Sequence, residues 1–147
     1  MKNSLDRNRP SSQEENWRRN VENLLGKNYI EKILSLENLD VEEFREFNQR
    51  IQNFISERAE DISSSRLRKI YELIKKAQDL SDLLLAIPYL AYMVGKEEKR
   101  NKKNALGELY VVLKDSIEKV GNDKKQLKNI QKFTEILVAY QKFYGKE

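Results

Sequence analysis

Cysteine and histidine, the two residue types that carry much of protein chemistry, are missing from this sequence. Without cysteine there is no disulfide and no thiolate nucleophile, and without histidine the commonest general base and metal ligand are absent. Ser–His and Cys–His catalysis are therefore excluded, and Mg²⁺ chemistry on carboxylates alone is the one enzymatic alternative left. The composition favours a protein that binds rather than catalyses, with no catalytic residue, no metal site and no cofactor expected.

Turn-forming residues and long apolar runs are also scarce. Five glycines and two prolines in 147 residues are too few for a β-sandwich or barrel, which indicates a few long helices. The longest apolar run, Leu83–Val94, falls short of the roughly 20 residues that cross a bilayer, so it predicts a buried helix. The first ten residues lack the apolar segment of a signal peptide. A cytoplasmic protein with no membrane partner is expected.

Positive charge is concentrated in the second half of the chain. Residues 1–62 hold 10 Lys and Arg against 13 Asp and Glu, whereas residues 63–147 hold 18 against 11. The C-terminal 85 residues therefore carry a net charge of +7 within a total of +4. This asymmetry is typical of a protein whose partner carries phosphates, although an ordinary solvated helix surface is the alternative explanation.

Apolar residues at helical spacing predict an all-α fold, a compact bundle of about five to six helices in a single domain. The domain is expected over residues 12–147, behind a flexible basic tail at residues 1–11. Ser12 with Glu15, and Asp40 with Glu43, have the capping-box spacing that begins helices. Ser81 is the expected cap of a helix over residues 82–95, and Pro88 is expected to kink it because proline lacks the N–H that would continue the hydrogen-bond ladder.

Three predicted elements offer cations, and an antiparallel bundle would merge them into one patch. They are Arg66, Arg68, Lys69, Lys75 and Lys76 on one helix, Lys96, Lys99, Arg100, Lys102 and Lys103 around a loop, and Lys125, Lys128 and Lys132 on the last helix. Contacts between such side chains and phosphates are sequence-tolerant and salt-sensitive. Tyr92 and Tyr144 are the aromatic residues expected at the surface, where a base can stack.

The last helix carries more apolar surface than one side of a bundle needs. Phe133 and Phe143 lie among the residues that widen its apolar stripe. Two interpretations remain open: the helix is central to the bundle, or one flank docks on another subunit.

Three segments within residues 64–144 resemble the small subunit of the type III-A (Csm) CRISPR–Cas effector complex. Ser65–Tyr71 (SRLRKIY) is similar to the family's S/T-x-L-R-K-h-Y helix start, and Leu85–Lys96 (LAIPYLAYMVGK) to its P-x-L-A-Y-x-x-G-R segment. Phe133–Phe143 (FTEILVAYQKF) is similar to its F-h-E-x-h-h-A-Y-H-K-F ending. Lys96 stands where the family favours arginine and Gln141 where it favours histidine, so charge is kept at the first position and no titrating role is left at the second.

The resemblance implies a non-catalytic subunit that stacks in several copies, contacts other subunits of the complex and supports the guide RNA–target RNA duplex. It assigns phosphate contacts to Arg66, Arg68, Lys69 and Lys96. The charge pattern adds Lys99, Arg100, Lys125, Lys128 and Lys132 to the RNA-binding residues, and Phe133 and Phe143 are the expected subunit contact. The alternative function is a homo-oligomeric helical scaffold, or protein-interaction module, that binds no nucleic acid.

Overall fold

The computed structural model describes residues 12–145, and these residues form eight α-helices. The helices are α1 (Ser12–Leu25), α2 (Tyr29–Leu34), α3 (Val41–Arg58), α4 (Ser64–Lys75), α5 (Leu80–Leu84), α6 (Ala86–Lys96), α7 (Arg100–Glu118) and α8 (Lys124–Tyr144). A 3-10 turn, Leu36–Asn38, joins α2 to α3. Six of the helices have eleven or more residues, which confirms the predicted all-α bundle. The predicted basic tail lies outside the described residues.

The two longest helices, α7 and α8, form the centre of the bundle. Helix α7 packs mainly against α1 and α6, and α8 packs mainly against α4 and α3, while α2 contacts both central helices. Each central helix therefore buries residues on more than one side, among them Leu109 and Val112 of α7 and Ile130 and Leu137 of α8. In the part of the chain that the structure describes, no helix is long and apolar enough to span a bilayer.

The apolar segment around Pro88 forms two helices instead of one kinked helix. Helix α5 ends before Leu85, and Pro88 is the third residue of α6. A helix leaves the N–H groups of its first turn without intrahelical partners, so proline costs little there and the predicted kink is replaced by a break. The cap also differs from the prediction, because Asp79 rather than Ser81 accepts the hydrogen bond from the backbone N–H of Asp82 (2.9 Å).

Helices α1 and α7 approach each other closely at Gly107. The Nε1 of Trp17 donates a hydrogen bond to Oδ1 of Asn104 (3.0 Å), which holds the indole flat against α7. A Cβ atom at Gly107 would overlap the ring of Trp17, whereas a Cβ atom at Gly95, in α6, would meet no atom within 4 Å. The glycine of α7 is therefore needed for the contact between the two helices.

Replacing Gly107 by alanine is expected to lower the free energy of unfolding by about 1–3 kcal/mol, the usual cost of overpacking a core. Gly95→Ala is the matched control, and it is expected to stabilise the chain by up to about 1 kcal/mol because alanine favours the helix. Urea unfolding followed by circular dichroism measures both changes. Equal shifts of the two midpoints would contradict the packing explanation.

Candidate nucleic-acid interface

Helix α4 separates apolar from cationic residues. Ser63 caps it by accepting the backbone N–H of Arg66 (3.2 Å), and Leu67, Ile70 and Ile74 are buried on its inner side. The outer side carries four exposed cations: Arg68, Lys69, Lys75 and Lys76. The predicted amphipathic helix is confirmed, and its charged side is accessible.

A shallow groove of about 530 Å³ runs between α4 and α6 and is called the α4–α6 groove below. Its lining residues are Ser65, Arg68, Lys69, Glu72, Leu73, Lys76 and Tyr89. Three of these residues are cations and one is a carboxylate, so their net charge is positive, while most of the surface that lines the groove is apolar. Tyr89 comes from α6 and adds an aromatic wall, which is a contribution that the pattern of cations within α4 does not reveal.

The N-terminal end of α4 is joined to the connection between α6 and α7 by an ion pair. Nη1 of Arg66 donates to Oε1 of Glu97 at 2.8 Å, and Oε2 of Glu97 accepts the backbone N–H of Glu98 at 3.0 Å. The hydrogen bond from Arg66 holds the pKa of Glu97 below its usual range. Arg66, a predicted phosphate contact, is therefore already engaged by a carboxylate within the chain.

A cavity of about 490 Å³ adjoins this ion pair. Arg66 and Lys102 line it together with three carboxylates, those of Glu60, Asp61 and Glu97. Carboxylates outnumber cations in this cavity, which makes it less favourable for a phosphate than the α4–α6 groove.

Three predicted cations lie in or next to the connection between α6 and α7, and all are exposed. Lys96 ends α6, Lys99 precedes α7 and Arg100 is the first residue of α7. The ammonium group of Lys96 lies 5.8 Å from the centre of the ring of Tyr92, which is exposed as predicted. Cations at a helix N-terminus oppose the helix dipole. Lys99 and Arg100 therefore do not stabilise α7 by their charge, and they are available to an anionic partner.

Helix α8 runs antiparallel to α4 and carries its lysines near the far end of that helix. Gln131 donates to the carbonyl of Ile74 (3.1 Å) at the end of α4, while Gln141 donates to the carbonyl of Ile62 (2.9 Å) just before α4 begins. All three predicted lysines of α8 are exposed: Lys125, Lys128 and Lys132. They belong to the half of α8 that lies beside the C-terminal end of α4, not beside Arg66.

The three sets of cations therefore follow α4 from one end to the other. The α6–α7 cations are at its first end, Arg68, Lys69 and Lys76 lie along it, and the α8 lysines are near its second end, about 18 Å away for a helix of this length. Lys132 also borders a second groove, on the side of α3. That the three sets of cations act together as one patch stays a prediction.

That second groove, the α3–α8 groove, has a volume of about 560 Å³ and a largely apolar lining. Its lining residues are Leu36, Glu37, Leu39, Phe44, Lys132, Glu135, Ile136 and Ala139. Phe44 has the helical spacing of an inward residue of α3, yet it is 39% exposed. The spacing alone does not show that the first turn of α3 lies beyond the edge of the core, where Val41 is also exposed.

One of the two predicted subunit contacts is wrong. Phe133 is fully buried, and its ring stacks on that of Phe47 with centroids 6.4 Å apart. Phe143 is 76% exposed, with its edge against Tyr144. The hydroxyl of Tyr144, the other tyrosine expected at the surface, is hydrogen-bonded to Gln52. The burial of Phe133 therefore confirms the interpretation that α8 is central to the bundle.

Acidic residues on α3 form local ion pairs. Glu42 pairs with Arg45 and Glu46 with Arg50, each at 3.5 Å. These are the helical pairs that their spacing predicts. Within residues 12–145, no three acidic side chains are grouped so that they would hold a metal ion.

One comparison with known proteins gives a match. The family model described as Csm2 Type III-A matches residues 32–147 of this chain. No curated protein and no solved structure matches it. The matched range covers more than half of the chain and contains helices α3 to α8, and therefore both grooves and every cation discussed above.

Proposed function

Because the chain belongs to the Csm2 Type III-A family, and is thus a small subunit of the type III-A CRISPR effector complex, we propose that it supports the guide RNA–target RNA duplex through the cations along α4. It catalyses nothing in this role, and it acts in the cytoplasm. The phosphates of the RNA backbone are the groups it recognises, so binding is indifferent to sequence.

The α4–α6 groove is the observation that carries this proposal. Arg68, Lys69 and Lys76 are exposed, and within residues 12–145 none of them has an ion-pair partner to leave before it contacts a phosphate. Glu72 is the one acidic residue that lines the groove. Cations spread over about 18 Å of helix fit several consecutive phosphates of a strand better than a single ligand. The row of cations along α4 is extended at its first end by Lys96, Lys99 and Arg100. It is extended at its second end by Lys128.

Stacking of copies is the second part of the proposal. The α3–α8 groove exposes Phe44, and Val41 beside it is 65% exposed. Phe143 is a third exposed apolar side chain, and it lies in the last turn of α8. Apolar surface of this kind marks contacts with other protein chains. Neighbouring copies would also raise the apparent affinity for RNA through avidity, so a single copy is expected to bind weakly.

The experiment is a binding titration with single-stranded and duplex RNA at two salt concentrations. The test variant is Arg68→Gln/Lys69→Gln/Lys76→Gln. The control variant carries the same change of net charge at exposed positions outside α4 and outside the elements that carry cations next to its ends: Arg19→Gln/Lys27→Gln/Arg45→Gln.

We expect the affinity of the wild type for RNA to fall as the salt concentration rises. Each phosphate contact to a single strand contributes about 0.7 to the slope of log affinity against log salt, so the test variant, which loses three contacts, should have a slope smaller by about 2. The control variant should keep most of the slope. Equal losses in both variants would show that net charge alone drives binding. Salt-insensitive binding would contradict phosphate recognition, and self-association without RNA binding would favour the homo-oligomeric scaffold.

A further inference from the structure

We infer that Glu97 determines how much of the cationic surface is open to RNA, because its carboxylate occupies Arg66 and withholds that guanidinium from phosphates. This inference rests on the proposed function and adds an affinity-determining residue to it. Arg66 then becomes a conditional RNA contact, in contrast to Arg68 and Lys69, which are accessible from the start.

The geometry of Glu97 is that of a bound anion. One carboxylate oxygen accepts the Arg66 guanidinium at 2.8 Å, and the other accepts the backbone N–H of Glu98 at 3.0 Å. Guanidinium and backbone N–H groups are also the donors that proteins use for phosphate oxygens. The Glu97 side chain is only 12% exposed, compared with 33% for Arg66. A phosphate that approached Arg66 would therefore have to compete with a carboxylate that is already held by two donors.

The surroundings strengthen this competition. Glu60 and Asp61 line the same cavity, where Lys102 is the second cation. A glutamate is ionised at neutral pH, and the hydrogen bond from Arg66 lowers the pKa of Glu97 further. An incoming phosphate would therefore join three carboxylates. When the charge of Glu97 is removed, the cavity is lined by two cations, Arg66 and Lys102, and two carboxylates. The net charge of its lining is then zero instead of negative.

The neighbouring residue provides a control with the same change of charge. Glu98 is exposed, and its backbone N–H, not its side chain, contacts Glu97. Glu97→Gln and Glu98→Gln both raise the net charge by one and leave the backbone unchanged. Only the first is expected to release Arg66. Because glutamine has nearly the same shape, and because Ser63 caps α4 independently, Glu97→Gln is expected to fold. A neutral amide holds the guanidinium less strongly than a carboxylate does, so a phosphate can displace it.

The test is a titration with labelled oligouridine, at two salt concentrations, of the wild type, Glu97→Gln and Glu98→Gln, each also combined with Arg66→Ala. Circular dichroism melting checks the fold of each variant. Glu97→Gln should bind about three- to tenfold more tightly than Glu98→Gln, which is less than a fully buried charge-assisted hydrogen bond contributes, because the site is partly exposed. It should also add about 0.7 to the salt slope, which is the value of one phosphate contact.

The combined variants identify Arg66 as the source of any gain. Arg66→Ala should change the affinity of the wild type and of Glu98→Gln less than about twofold, and should remove the whole gain of Glu97→Gln. Equal affinities for Glu97→Gln and Glu98→Gln would overturn the inference while leaving the proposed function intact. A weaker Glu97→Gln with an unchanged melt would also overturn it, because Glu97 would then position Arg66 for RNA. Binding by none of the variants would overturn both.

Discussion

Replacing Glu108 by alanine is expected to lower the free energy of unfolding by about 3–5 kcal/mol, the cost of breaking a buried ion pair from one side. Glu108 is 5% exposed in the middle of α7. Its two carboxylate oxygens accept hydrogen bonds from Nε and Nη2 of Arg58, both at 3.0 Å. Nη1 of Arg58 donates to the carbonyl of Phe54 (2.9 Å), and the guanidinium lies 4.5 Å from the centre of the Phe54 ring. Without the Glu108 carboxylate, this enclosed cation keeps the carbonyl of Phe54 and a longer contact with the exposed carboxylate of Glu57 (3.4 Å), and these replace only part of its lost solvation.

Urea unfolding measures this loss, with Glu118→Ala, on the exposed side of the same helix, as the control. The control should stay within about 0.5 kcal/mol of the wild type, as surface substitutions usually do. Arg58→Met/Glu108→Met removes both charges, and it should recover most of the stability because no buried charge is left without a partner. If Glu108→Ala were as mild as Glu118→Ala, the pair would not be part of the stable core.

Phe133→Ala should cost about 3–5 kcal/mol of unfolding free energy, because it deletes a fully buried ring and leaves a cavity beside Phe47. Phe143→Ala is the matched change ten residues later on the same helix. Its ring is mostly exposed, so the expected loss is within about 0.5 kcal/mol. The two phenylalanines, which share one stripe in the sequence, should therefore behave in opposite ways.

Denaturant unfolding at low protein concentration measures the stability of the monomer for each of the two variants. Sedimentation velocity over a range of protein concentrations measures their self-association. Phe143→Ala should weaken self-association without changing the unfolding midpoint. Phe133→Ala should lower the midpoint in monomeric protein as well. A Phe143→Ala variant that unfolds like Phe133→Ala would contradict the exposed position of its ring, and unchanged association would remove Phe143 from the proposed subunit contact.

The helices were largely predictable because their causes are local. Asp40 and Glu43 form the expected capping box. Asp123 begins α8 in a similar way, by accepting the backbone N–H of Lys125 (2.8 Å). Pro88 shows where local rules are incomplete. Proline is compatible both with a kink within a helix and with a place in a first turn, and the chain around Leu85 adopts the second. The two shorter helices that result, α5 and α6, both pack on α4 and α7.

The positions of the cations in the candidate interface were predictable from the sequence, but the residues that contact them were not. The cations of α4 follow a helical pattern that is visible in the sequence, and they are exposed as expected. The engagement of Arg66 by Glu97 joins residues that are 31 positions apart, and no local spacing indicates it. The same holds for Tyr89, which lines the groove of Arg68 and Lys69 only because α6 packs beside α4.

The sequence by itself determined the helical fold, the family and the supply of cations, since hydrophobic periodicity, capping residues and short motifs act over a few neighbouring positions. The tertiary structure alone decided which of those residues remain accessible. It buried Phe133 and left Phe143 exposed, and it paired Arg66 while leaving Arg68 free at the surface. The physical reason is that burial and ion pairing depend on which helices lie side by side, and this is set by the packing of the whole bundle and not by any one segment.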